Sequence, residues 1–127
     1  KEGIQEYQKR ILRFADFDLI HVKENKNTTS KILELVGKDI CILLDEQGKQ
    51  YTSHELSLFL DKKKNQSQDI SIVIGGPDGH VPELHNLANM LISLSRLTFP
   101  HDIAMMLCLE TLYRSLTILA GHPYHRD

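Results

Sequence analysis

Two short, mainly apolar runs, at residues 39–44 and 70–74, constrain the fold of this chain more than any other feature of its sequence. The first run shows no alternation of apolar and polar side chains, which predicts a strand covered on both faces, as parallel strands are. The second run predicts another buried strand. Because helical patterns alternate with the strands, we expect an α/β domain with a mainly parallel sheet and helices on both faces. Ligands usually bind at the carboxyl ends of such strands.

The segment before the first run predicts two helices and a strand. Apolar side chains recur with helical spacing in residues 2–14, which indicates an amphipathic helix. Residues 17–22 are predicted to form a strand and residues 24–30 a polar loop. A short helix is then expected over residues 31–36, ended by Gly37.

Between the two runs, the chain is predicted to turn and then form a helix. The polar residues 45–48 predict the turn. Thr52 and Glu55 have the spacing of a capping box, with Thr52 as the N-cap. We expect the helix to end at the basic residues 62–64, which suit the negative end of the helix dipole.

Beyond residue 81 the pattern predicts two further helices. The last one is expected over residues 103–120, with Asp102 as its N-cap and Gly121 at the C′ position. A short extended segment is expected before it, around residues 96–99. The earlier helix opens at residues 82–83, and its shared apolar face is predicted to comprise Leu84, Leu87, Ala88, Leu91 and Ser95.

The charge distribution limits the possible functions. The chain has 127 residues and a formal net charge of −2, which predicts one soluble domain, residues 1–127, and excludes nucleic-acid binding by an overall positive field. Residues 1–70 carry 24 charged side chains, whereas residues 71–127 carry only 8. Residues 103–109 are apolar around the whole helix, so this part forms the centre of the fold or is covered by another chain. The latter alternative is a first indication of a homodimer.

Several site types are disfavoured by the residues themselves. Cys41 and Cys108 lie in apolar runs, which predicts buried free thiols in a reducing cytosol and disfavours a cysteine nucleophile. The longest apolar stretch has seven residues, too short for a membrane helix, and the N-terminus resembles no signal peptide, so a cytoplasmic protein is expected. His122 and His125 lack the further ligands that a zinc site requires, and no metal is expected.

Three segments of the second half have the character of a ligand site. The glycine loop at residues 75–79 follows a buried strand, which favours a small-molecule site over a plain tight turn, although it is not a phosphate-binding loop. Residues 93–101 combine apolar side chains with backbone amides that Pro100 keeps from regular pairing. Tyr124, His125 and Arg126 form a cluster that suits a nucleobase, but tails of this composition are often simply solvated.

These segments, at residues 74–79, 93–101, 109–114 and 121–126, closely resemble one family in sequence, order and spacing. It is the bacterial ribosomal RNA large subunit methyltransferase H family, the SPOUT enzymes that methylate N3 of a pseudouridine in 23S ribosomal RNA. The resemblance covers nearly the whole chain. It implies S-adenosylmethionine as cofactor, a C-terminal trefoil knot, a homodimer, and the assembled ribosome as substrate.

The resemblance also implies roles for particular residues. The basic side chains of Lys9, Arg10, Arg13, Lys62, Lys63, Lys64 and Arg126 are hypothesised to contact RNA. Tyr124 and His125 would face the RNA, with His101 near the same cleft. We hypothesise that His125, or a hydroxyl or water that it orients, helps the acceptor N3 to lose its proton, with His101 as second choice. The expected cofactor-binding residues are Leu44, Gly75, Gly76, Leu94, Ser95, Arg96, Leu97, Thr98 and Phe99.

The sequence departs from the family pattern in three places. Members usually begin with a strand before the first helix, whereas this chain opens inside that helix. The segment between Val22 and Ile32 is shorter than usual. Some members have Arg where Met105 stands, so a contact made by that Arg is not carried over.

Two other functions remain open on the residues alone. One is a non-catalytic, ribosome-associated binding protein that retains the fold and the dimer. The other is a nucleotide-binding regulator with a Rossmann-like sheet, which the missing phosphate-binding fingerprint disfavours.

Overall fold

The computed structural model describes residues 2–75, 82–95 and 99–121. Within these ranges the strands β1 (Ile40–Lys49), β2 (Ile70–Ile74) and β3 (Met90–Ile92) form a parallel sheet in the order β2-β1-β3, with β1 in the centre. The predicted α/β class with a parallel sheet is confirmed. In chain order the elements are α1 (Glu2–Leu12), α2 (Thr28–Val36), β1 (Ile40–Lys49), α3 (Ser53–Asn65), β2 (Ile70–Ile74), α4 (Pro82–Leu87), β3 (Met90–Ile92) and α5 (His101–Leu119).

Helices cover both faces of the sheet, as the unbroken apolar run in β1 predicted. Cys41 and Leu43 point to one face, where they pack with Val36 of α2 and Leu84 of α4. The alternate residues of β1 point to the other face, and Ile42 packs there against α3 and α5. Because successive side chains of a strand alternate between faces, a strand buried on both sides must be apolar throughout.

α1 packs against α5 through the apolar side chains that the helical spacing identified. Ile11 is 1% exposed and belongs to one cluster with Met105 and Tyr113 of α5. The rings of Tyr7 and Phe14 each lie 5.9 Å from the ring of Tyr113, centroid to centroid. This aromatic group fixes α1 to the long C-terminal helix.

The capping box at the start of α3 is confirmed in full. The Thr52 hydroxyl accepts a hydrogen bond from the Glu55 amide at 3.0 Å, and the Glu55 carboxylate accepts from the Thr52 amide at 2.8 Å. The bond from the Thr52 amide lowers the pKa of Glu55, since it favours the charged form of the carboxylate. The basic residues 62–64 lie in the last turn of α3, as expected.

The turn predicted at residues 45–48 is not a separate element, because these residues lie within β1, which continues to Lys49 through an irregular stretch. Leu44 and Lys49 are both in register with Ile92, so the intervening residues leave the ladder and return to it. The Asp45 carboxylate accepts a hydrogen bond from the Gln47 amide at 2.8 Å, which is local turn chemistry of the expected kind.

The strand predicted at residues 17–22 is wrong. This segment has no regular structure, and no strand of the described ranges pairs with it. Phe17 and Leu19 instead pack on the cluster between α1 and α5. The alternation of apolar and polar residues in this segment reflects the packing of its apolar side chains on helices. A strand would also require a neighbouring strand to accept and donate its backbone hydrogen bonds.

The helical face predicted from Leu84 through Ser95 is also wrong beyond Leu87. There the Asn89 amide donates to the Cys41 carbonyl, and the Asn89 side-chain oxygen accepts from the Cys41 amide, both at 2.8 Å. These two bonds align the following residues with β1, so Met90–Ile92 form β3. Pairing with a distant strand outweighed the local helical spacing.

Two helix starts differ from the prediction. α2 begins at Thr28, three residues early, within the predicted loop, and ends at Gly37 as expected. α5 begins at His101 with Pro100 as its N-cap residue, so Asp102 is not the N-cap but lies in the first turn. Pro100 has an extended ψ of 151° and its carbonyl accepts from the Ala104 amide, which fits the N-cap position. Gly121 follows α5 with a φ of +70°, as predicted for C′.

Candidate functional site

The carboxyl ends of the three strands meet at one edge of the sheet. Leu44 of the central strand is in register with Ile74 of β2 on one side and with Ile92 of β3 on the other. Gly75 directly follows β2, and Leu94 lies two residues beyond β3. The parallel sheet therefore brings three segments of the expected cofactor site to the same edge.

A small apolar cavity of about 20 Å³ lies between this edge of the sheet and helices α3 and α5. Leu44 and Leu94, two of the residues expected to bind the cofactor, line it. Among the described residues no charged side chain contributes to its wall. The full lining is Ile42, Leu44, Leu56, Leu60, Ile72, Ile92, Leu94, Cys108, Thr111 and Leu112.

Helix α5 also contributes to this cavity, which its sequence does not predict. Cys108, Thr111 and Leu112 are at positions i, i+3 and i+4 of the helix, so their side chains share one side of it. That spacing was visible in the sequence. The sequence did not show which side of α5 faces the strand ends, because both sides are apolar near its start.

The segment after β3 is held by the returning end of β1. The Ser93 amide donates to the Lys49 carbonyl at 2.9 Å, and the buried Ser93 hydroxyl donates to the Ser95 carbonyl at 3.0 Å. Gly48 is buried beside Leu91, and a Cβ there would lie 2.7 Å from the Leu91 carbonyl carbon. The close approach of the two backbones fixes residues 93–95 at the edge of the site.

A polar pair lies next to the strand ends. Asp45 follows Leu44 in β1, and its carboxylate is 3.4 Å from Nε2 of His85 in α4. The Asp45 side chain is only 16% exposed, whereas that of His85 is 39% exposed. Neither residue was assigned to the site from the sequence, because they come together only when α4 packs on β1.

Other expected site residues fall outside the described residues or only border the site. Ser95 and Phe99 are half-buried on either side of residues 96–98. His101 begins α5. The remaining cofactor-binding and tail residues lie outside the described ranges, so their roles stay predictions: Gly76, Arg96, Leu97, Thr98, Tyr124, His125 and Arg126.

The cationic residues expected to contact RNA lie on two helices or just beyond one. Lys9 and Arg10 are in the last turn of α1, and Arg13 follows it. Arg10 is engaged within the fold: its Nε donates to Glu6 at 2.9 Å, and its guanidinium lies over the rings of Tyr7 and Tyr113. The hydrogen bond to Glu6 raises the pKa of Arg10.

The second cationic group lies in the last turn of α3. The Lys63 ammonium lies 5.5 Å from the centre of the Phe59 ring, while Lys62 and Lys64 are exposed. Both α1 and α3 pack against α5. The exposed side chains of Lys9, Arg13, Lys62 and Lys64 are therefore the ones most available to a polyanion.

Both cysteines are free and buried, as predicted. Burial raises the pKa of Cys108 to about 12 and also raises the pKa of Cys41. A thiol with so high a pKa is not ionised near neutral pH and makes a poor nucleophile.

Two other kinds of feature, a metal site and a membrane-spanning helix, are absent from the described ranges. No group of three or more histidine, cysteine and acidic side chains lies close enough together there to hold a metal ion. None of the helices seen in those ranges has the length and apolar character needed to cross a membrane.

Comparison with known proteins decides the family. The model of the family described as "Predicted SPOUT methyltransferase" matches residues 1–125. The chain belongs to the SPOUT methyltransferase family. This agrees with the parallel sheet and confirms the resemblance that the four motifs indicated.

Several curated relatives of this SPOUT methyltransferase share one name. The ribosomal RNA large subunit methyltransferase H of Deinococcus radiodurans is 43% identical over 129 residues, which cover 99% of this chain and 88% of the relative. The protein of that name from Coprothermobacter proteolyticus is 40% identical, covering 98% and 88%. The one from Cytophaga hutchinsonii is 36% identical, covering 98% and 89%.

Proposed function

We propose that this SPOUT methyltransferase uses S-adenosylmethionine to methylate N3 of a pseudouridine in the 23S ribosomal RNA of the assembled ribosome. The observation that carries the proposal is the convergence of Leu44, Gly75 and Leu94 at one edge of the parallel sheet, beside an apolar cavity. The names of the relatives support ribosomal RNA as the substrate. The N3 position and the pseudouridine come from the resemblance of the motifs.

The residues at this edge fit S-adenosylmethionine. The apolar side chains of Leu44, Ile92 and Leu94 suit one face of an adenine ring. The cofactor carries no phosphate, so the site needs neither a phosphate-binding loop nor a cationic side chain. A cavity of about 20 Å³ is only part of such a site, and residues 76 and 96–98 are proposed to complete it with their backbone.

When bound, S-adenosylmethionine supplies a methyl group already activated on a sulfonium. The chain then has to align the acceptor with that methyl group and exclude water, and it needs no covalent nucleophile. The apolar wall at Leu44 and Leu94 serves the exclusion of water. The buried, un-ionised Cys108 agrees with the absence of a nucleophilic role.

The acceptor nitrogen must also lose a proton. We assign this step to His125, or to a hydroxyl or water that it orients, with His101 as second choice. The ring of Tyr124 would position the target nucleobase. His101 begins α5 directly after the segment that leads from the cofactor edge. RNA would be bound by Lys9, Arg10, Arg13, Lys62, Lys63, Lys64 and Arg126, and the active form would be a cytoplasmic homodimer with a knotted C-terminal part.

Two measurements test the proposal against its rival, a binding protein without activity. Calorimetric titration with S-adenosylmethionine and with its demethylated product should show binding of both, whereas an inactive relic should bind neither tightly. Mass spectrometry of 23S ribosomal RNA from cells with and without the gene should show one methylpseudouridine lost on deletion. An unchanged RNA mass would refute the activity.

Replacing His125 with alanine tests the proposed proton acceptor. We expect a single-turnover methylation rate at least about 100-fold lower, the usual contribution of general base catalysis, with cofactor affinity unchanged. The matched control is His122→Ala, which removes another histidine of the same tail. If His125→Ala weakens only RNA binding and keeps the chemical rate, His125 positions the RNA and is not the base.

A further inference from the structure

A second concave site lies away from the strand ends, on the segment that leads into α2. It is a groove of about 280 Å³ between residues 20–25 and the start of the helix. Only two of the lining residues are half-buried and the others are exposed, so the groove is open to solvent along its length. Such a shape suits a chain lying across the surface more than an enclosed small molecule. The lining is Ile20, His21, Val22, Lys23, Asn25, Asn27, Thr28 and Lys31.

The groove is positively charged. Lys23 and Lys31 line it, and none of the residues found in its wall is acidic. Lys23 has no ion pair with any residue of the described ranges, and Lys31 has only a loose one, 3.8 Å from the exposed carboxylate of Glu34. The two ammonium groups are thus available to an anionic ligand, although the protein as a whole is slightly acidic.

Hydrogen bonds hold the groove in shape without a ligand. The Thr28 hydroxyl donates to the Lys23 carbonyl at 2.5 Å and accepts from the Asn25 amide at 2.7 Å. The Asn25 side-chain oxygen accepts from the Asn27 amide at 2.7 Å. Because these bonds fix residues 23–28, little ordering entropy is lost when a ligand binds.

The remaining lining groups match the parts of a nucleotide. His21 offers an imidazole ring and Ile20, which is 52% exposed, offers an aliphatic surface on which a base can stack. The amide groups of Asn25 and Asn27 suit base edges. An acidic protein segment would use the two lysines but would have no need for a stacking surface and amides beside them.

We propose that this groove binds a single-stranded segment of the RNA substrate, with Lys23 and Lys31 contacting backbone phosphates and His21 stacking on a base. The inference rests on the proposed function, because it assigns a second contact surface for the same RNA. It adds residues that the sequence analysis did not assign to RNA binding. The groove positions the substrate and takes no part in methyl transfer.

Charge reversal at the groove tests the proposal. The full chain with Lys23→Glu and Lys31→Glu is compared with the wild type in binding a fluorescein-labelled, single-stranded RNA of ten nucleotides by fluorescence anisotropy. Log affinity falls as log salt rises, and each lost phosphate contact on a single strand makes this negative slope shallower by about 0.7. We therefore expect a slope shallower by about 1.4 and, at 0.1 M salt, an affinity lower by roughly 25-fold.

The matched control is Lys38→Glu, with Glu34→Lys added as a test in the opposite direction. Lys38 is exposed and follows the other end of α2, outside the groove. We expect Lys38→Glu to change the affinity less than threefold and Glu34→Lys, which frees Lys31 from its acidic neighbour, to strengthen binding. Because the double variant carries two charge reversals and Lys38→Glu only one, a loss of log affinity in Lys38→Glu at least half as large as in the double variant would overturn the proposal, since binding would then follow net charge alone.

Two further measurements separate failure of the groove from failure of the proposed function. A polyglutamate peptide of equal charge should not displace the RNA, and displacement at equal concentration would overturn RNA as the occupant.

Cofactor binding and methylation of ribosomes are measured on the same samples. If the wild type transfers methyl and the double variant binds RNA normally, the groove proposal is wrong and the function stands. If the wild type transfers no methyl but the double variant loses RNA affinity, the proposed function fails and the groove stands.

Discussion

Burial of the Cys108 thiol makes the stability of this molecule depend on pH. The thiol lines the apolar cavity beside the strand ends, and burial raises its pKa to about 12 from the 9.0 of an unperturbed thiol. In the folded chain the thiol therefore stays neutral at pH values where it ionises in the unfolded chain. Its contribution to stability is complete below pH 9 and is lost as the pH rises towards 12.

Replacing Cys108 with alanine tests this pH dependence. At pH 8 the variant should be less stable than the wild type by about 1 kcal/mol, the usual size of a small core truncation. In urea unfolding at pH 10.5 the difference should shrink or reverse, because the wild type alone then loses stability through this thiol. Other groups that titrate, including Cys41, are present in both proteins and cancel. A difference independent of pH would contradict the high pKa.

At the scale of elements, the site depends on how closely β1 returns to β3. Gly48→Ala would place a Cβ 2.7 Å from a backbone carbon of Leu91 and 2.8 Å from the amide nitrogen of Ile92. Because backbone atoms cannot swing aside, the two strands must separate, at a cost of about 1–3 kcal/mol. The shift would also disturb Ser93, which bonds to Lys49, so we expect weaker binding of S-adenosylmethionine.

Urea unfolding and calorimetric titration of Gly48→Ala measure both effects. The control is Gln47→Ala, a change at an exposed neighbour in the same irregular part of β1, which should alter stability by less than about 0.5 kcal/mol. Wild-type stability in Gly48→Ala would show that the strands tolerate the separation. Lower stability with unchanged cofactor affinity would mean that residues 93–95 do not depend on β1.

The elements also show how far a sequence predicts its own structure. The capping box at Thr52 and Glu55 was predicted correctly because both partners lie within one turn. Leu91 was placed on a helix, since it continues the spacing of Leu84 and Leu87, but it lies in β3. The decisive bonds join Asn89 to Cys41, 48 residues away, and no local pattern contains that information.

In the candidate site, too, local features were predicted from the sequence and contacts between distant residues were not. Leu44 was assigned by resemblance to a family, and its position at the end of an apolar run predicted a strand end at the ligand-binding edge, although β1 continues to Lys49. The pair of Asp45 and His85 was missed, because it forms only when α4 packs on β1. A resemblance of motifs carries information about such distant neighbours that the spacing of residues in a single chain does not.

At the scale of the whole molecule, α5 connects the carboxyl edge of the sheet, where the cofactor is proposed to bind, with the proposed contact between two copies of the chain. Its inner side carries Cys108 and Thr111 of the cavity. Ile103 and Leu107, four residues apart, share another side, where Ile103 is 47% exposed and Leu107 is half-buried. A contact made by this side would lie within two turns of His101, so dimer formation and the site would be coupled.

Replacing Ile103 with aspartate tests this arrangement. A charge placed in an apolar contact costs several kcal/mol when it is buried there, so we expect the dissociation constant of the dimer to rise at least about 100-fold. The control is Leu12→Asp, which changes an apolar side chain that is 56% exposed at the end of α1. Sedimentation equilibrium of the 14.6 kDa chain distinguishes one copy from two.

If both variants and the wild type sediment as dimers, the contact lies elsewhere. If the wild type is a monomer at micromolar concentration and transfers methyl at full rate, the α5 surface has no partner of its own kind, and each site functions within one chain.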